Sequence, residues 1–208
     1  MKKWLMVSLA VLVVAPTAVD GQRQRRFVRN NGDCCYGNRF YLEPYAGAMK
    51  DAYDIGASGD TGYLLGLHVG YILGSRVRLL GNFGYSNAED VADSQGLNSY
   101  YVYDNVWLMT TAGAEFDVVP GRTSAALGLQ IGAGWRKLDL EETIGSPADS
   151  PLDDDRYAAY EMLLPSLTLR HWFSSRVGIS AALRDHMFDI FDGTVQHSPA
   201  ITLGVTWR

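Results

Sequence analysis

The sequence predicts an all-β fold, an eight-stranded antiparallel up-and-down transmembrane β-barrel. Three observations predict it. Runs of period-two alternation recur along the chain, and the face opposite the apolar one is built from glycine, alanine, serine, threonine and arginine. The connections between runs alternate long and short. The chain opens on the pattern of an export signal.

The first observation is clearest over residues 164–184. Leu167, Leu169, His171 and Phe173 share one parity, and Ser166, Thr168, Arg170 and Trp172 the other. After Ser174-Ser175, Val177, Ile179, Ala181 and Leu183 alternate with Gly178, Ser180, Ala182 and Arg184. A short polar break between two such runs predicts a hairpin. A face this small and polar suits a narrow lumen inside a wall whose outside is apolar.

Taken in order, residues 1–21 read as a signal peptide. Lys2 and Lys3 precede an apolar run, Trp4 to Val14, too short to span a bilayer. Residues 22–38 form a polar lead-in with Arg23, Arg25, Arg26 and Arg29. Cys34 and Cys35 are adjacent, a spacing that suits neither an unstrained disulfide nor a metal site, and a structural or incidental role is expected. The barrel is expected over residues 39–208. Its strands are read at residues 39–49, 62–73, 76–86, 100–118 and 124–138, then the hairpin pair within 164–184, then 198–208. In the second, Tyr63, Leu65, Leu67, Val69, Tyr71 and Leu73 oppose Leu64, Gly66, His68, Gly70 and Ile72. Short turns fall at Gly74-Ser75, Pro120-Gly121 and Ser174-Ser175. Polar connections over residues 50–61, 87–98, 139–156 and 185–197 carry the loops, with the acidic run Asp153-Asp154-Asp155 in the third. Alternation alone leaves open which face points inward. The export signal, the loop rhythm and the aromatic strand ends assign the apolar face to lipid, and an even strand count puts both barrel ends at the short-turn, periplasmic side.

The bulk numbers agree with one barrel domain. The chain has 208 residues, 22 glycines and 12 tyrosines, and glycine fits a crowded lumen as tyrosine fits an interfacial girdle. No second run of about 18 apolar residues follows the first segment, so no later helix is expected to span a bilayer. A formal charge of -5 argues against nucleic acid as a partner.

The chain resembles the small eight-stranded bacterial outer-membrane barrels, the family of outer membrane proteins A, X and W. The resemblance rests on the strand pattern over residues 39–208 and on the closing strand Ile201-Thr-Leu-Gly-Val-Thr-Trp-Arg208. It implies an outer-membrane location, contact with outer-membrane lipid and lipopolysaccharide, and recognition of the closing strand by the barrel-assembly machinery. That recognition commonly uses a final aromatic residue, and here Trp207 is penultimate. No peptidoglycan-binding domain is read after the last strand, so an anchoring role is not expected.

Six charged residues have lumen parity: Glu43, Arg78, Glu115, Arg136, Arg170 and Arg184. The interior of an eight-stranded barrel is just filled by side chains, and buried charges there must pair. A charged network plugging the lumen is therefore expected, with Arg78 and Glu115 as the preferred pair. Two carboxylates cannot meet four arginines singly, so sharing or placement near water is also expected. No catalytic, cofactor or metal residue is assigned, and the chain is not read as an enzyme. Ser180 and His186 lie roughly 20 Å apart along one strand at about 3.3 Å per residue, too far to form a triad with Asp185. His197-Ser198 bears only a faint likeness to the lipid A deacylases. The resulting expectation is an integral outer-membrane protein with a structural or surface-interaction role and acidic extracellular loops. Two alternatives stay open: a narrow channel or carrier for small hydrophobic molecules, and a lipid A-modifying enzyme.

Overall fold

The computed structural model describes residues 39–50, 57–59, 61–74, 76–93, 98–147, 158–191 and 195–208. The proposed signal peptide, the lead-in with Cys34 and Cys35, and the run Asp153 to Asp155 lie outside the described residues. Among the described residues there are nine strands: β1 (Phe40–Lys50), β2 (Ala57–Gly59), β3 (Thr61–Ile72), β4 (Val77–Asp93), β5 (Tyr100–Val119), β6 (Thr123–Ile144), β7 (Ala158–Trp172), β8 (Val177–Phe188) and β9 (Gln196–Trp207). Eight of them, all but the three-residue β2, form a ring of antiparallel neighbours that closes where β9 pairs with β1. β2 adds to the far end of β4, pairing Ala57 with Ala92.

The alternation sets the two sides of the wall. Leu65, Leu67, Val69, Leu127, Leu129, Ile131, Leu203 and Val205 are exposed, whereas Glu43, His68, Asn82, Gln130, Arg170 and Thr202 are buried. A soluble barrel would show the opposite arrangement. Ten residue steps run from Tyr63 to Leu73, just past the end of β3, so this exposed apolar stretch extends roughly 33 Å along the chain. At the usual strand tilt this spans about 25 Å of the barrel axis, the height of an outer-membrane apolar band. Aromatic pairs mark both margins: Tyr63 and Tyr85, with ring centroids 6.0 Å apart, and Phe40 and Tyr71 at 4.7 Å.

Short turns join the strands at one end. Gly121 has φ 143°, a conformation that glycine adopts without a Cβ penalty, which explains the Pro-Gly pair there. The turn after β7 is longer than the serine pair itself: it comprises residues 173–176, and Ser174 Oγ accepts from the N–H groups of Arg176 (3.1 Å) and Val177 (3.0 Å). The hydroxyl thus satisfies two donors that a tighter turn would have placed in the ladder.

Several strands outrun their expected lengths. β4 continues to Asp93, β6 to Ile144 and β8 to Phe188, through segments expected as loop, and β7 already begins at Ala158. Within β4, Asn87 and Glu89 face outward while Ala88 and Asp90 face inward. Here the wall has left the apolar belt, so both faces are polar and the binary pattern disappears although the ladder with β5 persists.

Candidate functional site in the barrel lumen

Toward the turn end the lumen holds a buried cluster of charges. Antiparallel register sets Arg78 of β4 directly opposite Glu115 of β5, and Arg78 Nη1 donates to Glu115 Oε2 at 2.8 Å. The same guanidinium gives its other terminal nitrogen to Asp117 Oδ2 at 2.5 Å. Arg170 reaches in from β7 and bridges two strands on other parts of the ring. Its Nε and Nη2 each lie 3.1 Å from Glu43 Oε2, and its Nη1 lies 3.1 Å from Glu115 Oε2. Thr206 Oγ1 donates to Glu43 at 2.6 Å. Both glutamates and Arg170 are at most 2% exposed, so this network replaces water as their solvating shell.

Arg184 joins the same layer by another route. Its guanidinium lies 4.0 Å over the Tyr45 ring, and its Nη2 is 3.3 Å from His68 Nδ1. That nitrogen is also 3.4 Å from Glu43 Oε1, so His68 stands between the cation and the carboxylate. Tyr45 is anchored by its hydroxyl, which donates to Asn82 Oδ1 at 2.8 Å. The layer therefore contains three guanidinium groups, on Arg78, Arg170 and Arg184, against three carboxylates, on Glu43, Glu115 and Asp117.

Arg136, the remaining arginine of the expected set, does not reach this layer. Its Nε donates to Asn105 Oδ1 at 3.0 Å, and Asn105 Nδ2 donates onward to Asp90 Oδ2 at 2.6 Å. Arg136 is 3% exposed. Of the ways expected for four arginines to meet two glutamates, sharing is what Arg78 and Arg170 show at Glu115. Arg136, on β6, is instead buried against the amide of Asn105 on β5, which in turn bonds Asp90 on β4.

Between the two polar layers the lumen is mostly apolar, with Ser86 buried opposite Leu64 and Trp107. Met49, Leu64, Trp107, Met109, Met162 and Phe188 are all fully buried and pack as one cluster. Trp107 stacks on Phe188 with centroids 4.2 Å apart, and Tyr160 closes the third side at 5.5 Å. Small residues on facing strands give the rings their space. A Cβ on Gly134 would lie 2.7 Å from Phe188, and one on Gly70 would lie 2.1 Å from the Tyr41 ring.

The solved structures similar to this chain include Neisserial surface protein A, with a TM-score of 0.51 at 15% identity, covering 82% of this chain and 97% of that one. The fold is that of the small outer-membrane β-barrels. Outer membrane protein OprG from Pseudomonas aeruginosa is similar with a TM-score of 0.49 at 11% identity, over 84% of this chain and 98% of that one. Ail, the attachment invasion locus protein of Yersinia pestis, is similar with a TM-score of 0.46 at 16% identity, over 81% and 95%. No protein-family model matches the sequence, and neither does any curated protein.

Two carboxylates of the barrel's lumen, Asp117 and Asp90, are not among the six residues expected there. Asp117 has the same parity as Glu115 and stands two residues further along, so counting the alternation one step beyond Glu115 would have found it. Asp90 carried no such signal, because its neighbours no longer alternate. The residues weighed for a hydrolase are dispersed. Ser180 and His186 face the lumen, while Asp185 faces outward and lies 2.7 Å from His197 Nδ1. Ser198, next to His197, is buried on the opposite face.

Proposed function

We propose that the protein is an integral outer-membrane barrel with a closed lumen, whose role is structural or surface-interacting. The wall anchors the long polar connections at the far end from the turns, and those connections meet the exterior. The observation that carries this reading is the stack of buried layers in the lumen. A neutralised charge cluster, an apolar cluster around Trp107 and a second polar layer follow one another along the axis, and their members are almost wholly inaccessible. An ion crossing such a stack would shed its water against methionine and aromatic side chains, with no compensating partner. On this reading residues 1–21 are a cleaved signal, residues 22–38 a periplasmic lead-in and residues 39–208 the barrel. The belt contacts outer-membrane lipid and lipopolysaccharide, the barrel-assembly machinery takes the closing strand, and the acidic connections, including Asp153 to Asp155, lie outside the cell. A catalytic role is no part of it.

Orientation gives the test. A protease-cleavage site inserted between Ser146 and Pro147, just beyond β6, should be cut when protease is added to intact cells. The same site inserted at Pro120-Gly121 should be cut only after the outer membrane is opened. The reverse pattern, or equal protection at both points, would contradict the proposed orientation.

A further inference from the structure

Five arginines stand where the wall ends on the turn side. Arg39 precedes β1, Arg76 precedes β4, Arg122 precedes β6, Arg176 precedes β8 and Arg208 follows β9. The strand order spreads them around the circumference. Arg39, Arg76, Arg122 and Arg176 are exposed, and Arg208 lies with its guanidinium 3.8 Å over the Trp172 ring. Each sits at the margin of the apolar belt. Leu73 and Val77 flank Arg76, and Phe173 and Val177 flank Arg176, all of them exposed. Arginine at such a margin lays its stem on apolar surface and lifts its charge to the polar boundary.

The opposing charges are elsewhere. The outward-facing carboxylates Glu89, Asp104, Asp139, Glu161 and Asp185 all belong to the other half of the wall. Among the described residues the carboxylates at the turn end are Glu43, Glu115 and Asp117, and all three turn into the lumen toward Arg78 and Arg170. Like charges set around one rim raise the local concentration of anions.

We propose that this ring docks the anionic phosphate headgroups of phospholipid in the periplasmic leaflet. The inference rests on the membrane-barrel reading above and adds a lipid preference to it. The chemistry fits at Arg39, Arg76 and Arg176, where a guanidinium fork can take two phosphate oxygens at once, while Arg122 gives its Nε and Nη2 to the carbonyls of Trp172 and Phe173. The acyl chains of such a lipid would lie against Leu73, Val77, Phe173 and Val177, directly beside the arginines. Basic side chains at a membrane surface each favour anionic lipid by roughly five-fold.

The test uses the full-length protein, first refolded into neutral phosphatidylcholine vesicles, then titrated in zwitterionic micelles with short-chain phosphatidylglycerol or phosphatidylcholine. Phosphatidylglycerol should bind more tightly, with an affinity that falls as salt is raised. The triple variant Arg39→Gln/Arg76→Gln/Arg176→Gln should lose on the order of 100-fold in that affinity. The variant Lys50→Gln/Lys137→Gln, altered at the other end, should keep it, and both variants should insert into vesicles as the wild type does. Equal affinity for the two lipids, or an undiminished preference in the triple variant, overturns the inference while leaving the barrel reading intact. Competition by glycerol 3-phosphate as strong as by the lipid overturns the assignment to lipid. Failure of the wild type to enter neutral vesicles overturns both readings.

Discussion

Replacing Arg170 by methionine should lower the free energy of unfolding by about 3–5 kcal/mol, because it strips one cation from a buried network and leaves charge uncompensated. Arg170 touches Glu43 and Glu115 at 3.1 Å each, and among the described residues it is the cation that joins these two carboxylates. After Arg170→Met, three carboxylates face two guanidinium groups in the layer. Adding Glu43→Gln restores the balance, with Arg78 still holding Glu115 and Asp117. The double variant should therefore be more stable than Arg170→Met alone, although it carries one more change. Urea unfolding from liposomes measures both. A single variant within about 1 kcal/mol of wild type, or a double variant weaker than the single, would show that water rather than Arg170 solvates the acids.

The second large effect lies on the other face of the wall. Leu67→Arg should cost about 2–4 kcal/mol, the range for a cation placed near the middle of the bilayer on a barrel strand. Leu67 is exposed between Leu65 and Val69, and its register partners are Pro44 and Phe83. The matched change Asn87→Arg, outward-facing beside Tyr63 at the upper margin, should cost no more than about 1 kcal/mol. If the two variants unfold alike, the belt is not at the height assigned to it. If Asn87→Arg is the more damaging, the middle of the belt lies nearer Tyr63 than Leu67.

How much of this was legible depends on where the wall meets lipid. Inside the belt, one face must be apolar and the other can be small or polar, so β3, β8 and β9 could be read from their sequence alone. Above it, water wets the outer face, and the upper parts of β4 and β6 look like loop although their ladders continue. Asp90 was lost for that reason. The direction of each charged side chain followed from parity, but its partner did not. Arg78 and Glu115 sit on consecutive strands joined by a ladder, and similar depth was enough to match them. Arg170 and Glu43 are 127 residues apart and meet across the lumen, on β7 and β1, which do not pair with each other. That contact exists because the ring closes in one register, and register is not carried by any single strand. The apolar middle of the lumen was hidden for a different reason. Trp107, Met109 and Met162 have lumen parity, yet a hydrophobic residue on the inner face looks the same in sequence as one on the outer face of a slipped strand.

Single-channel recording in a planar lipid bilayer addresses the closed lumen most directly. On the closed lumen proposed above, the wild-type protein, inserted in folded form, should give no ion-conducting steps. A variant that hollows the apolar layer, Trp107→Ala with Phe188→Ala, serves as the positive comparison and should admit current if the remaining polar layers hydrate. Steady, resolved openings of the wild type would contradict the account, since they require a continuous water path through residues that the structure places out of contact with solvent.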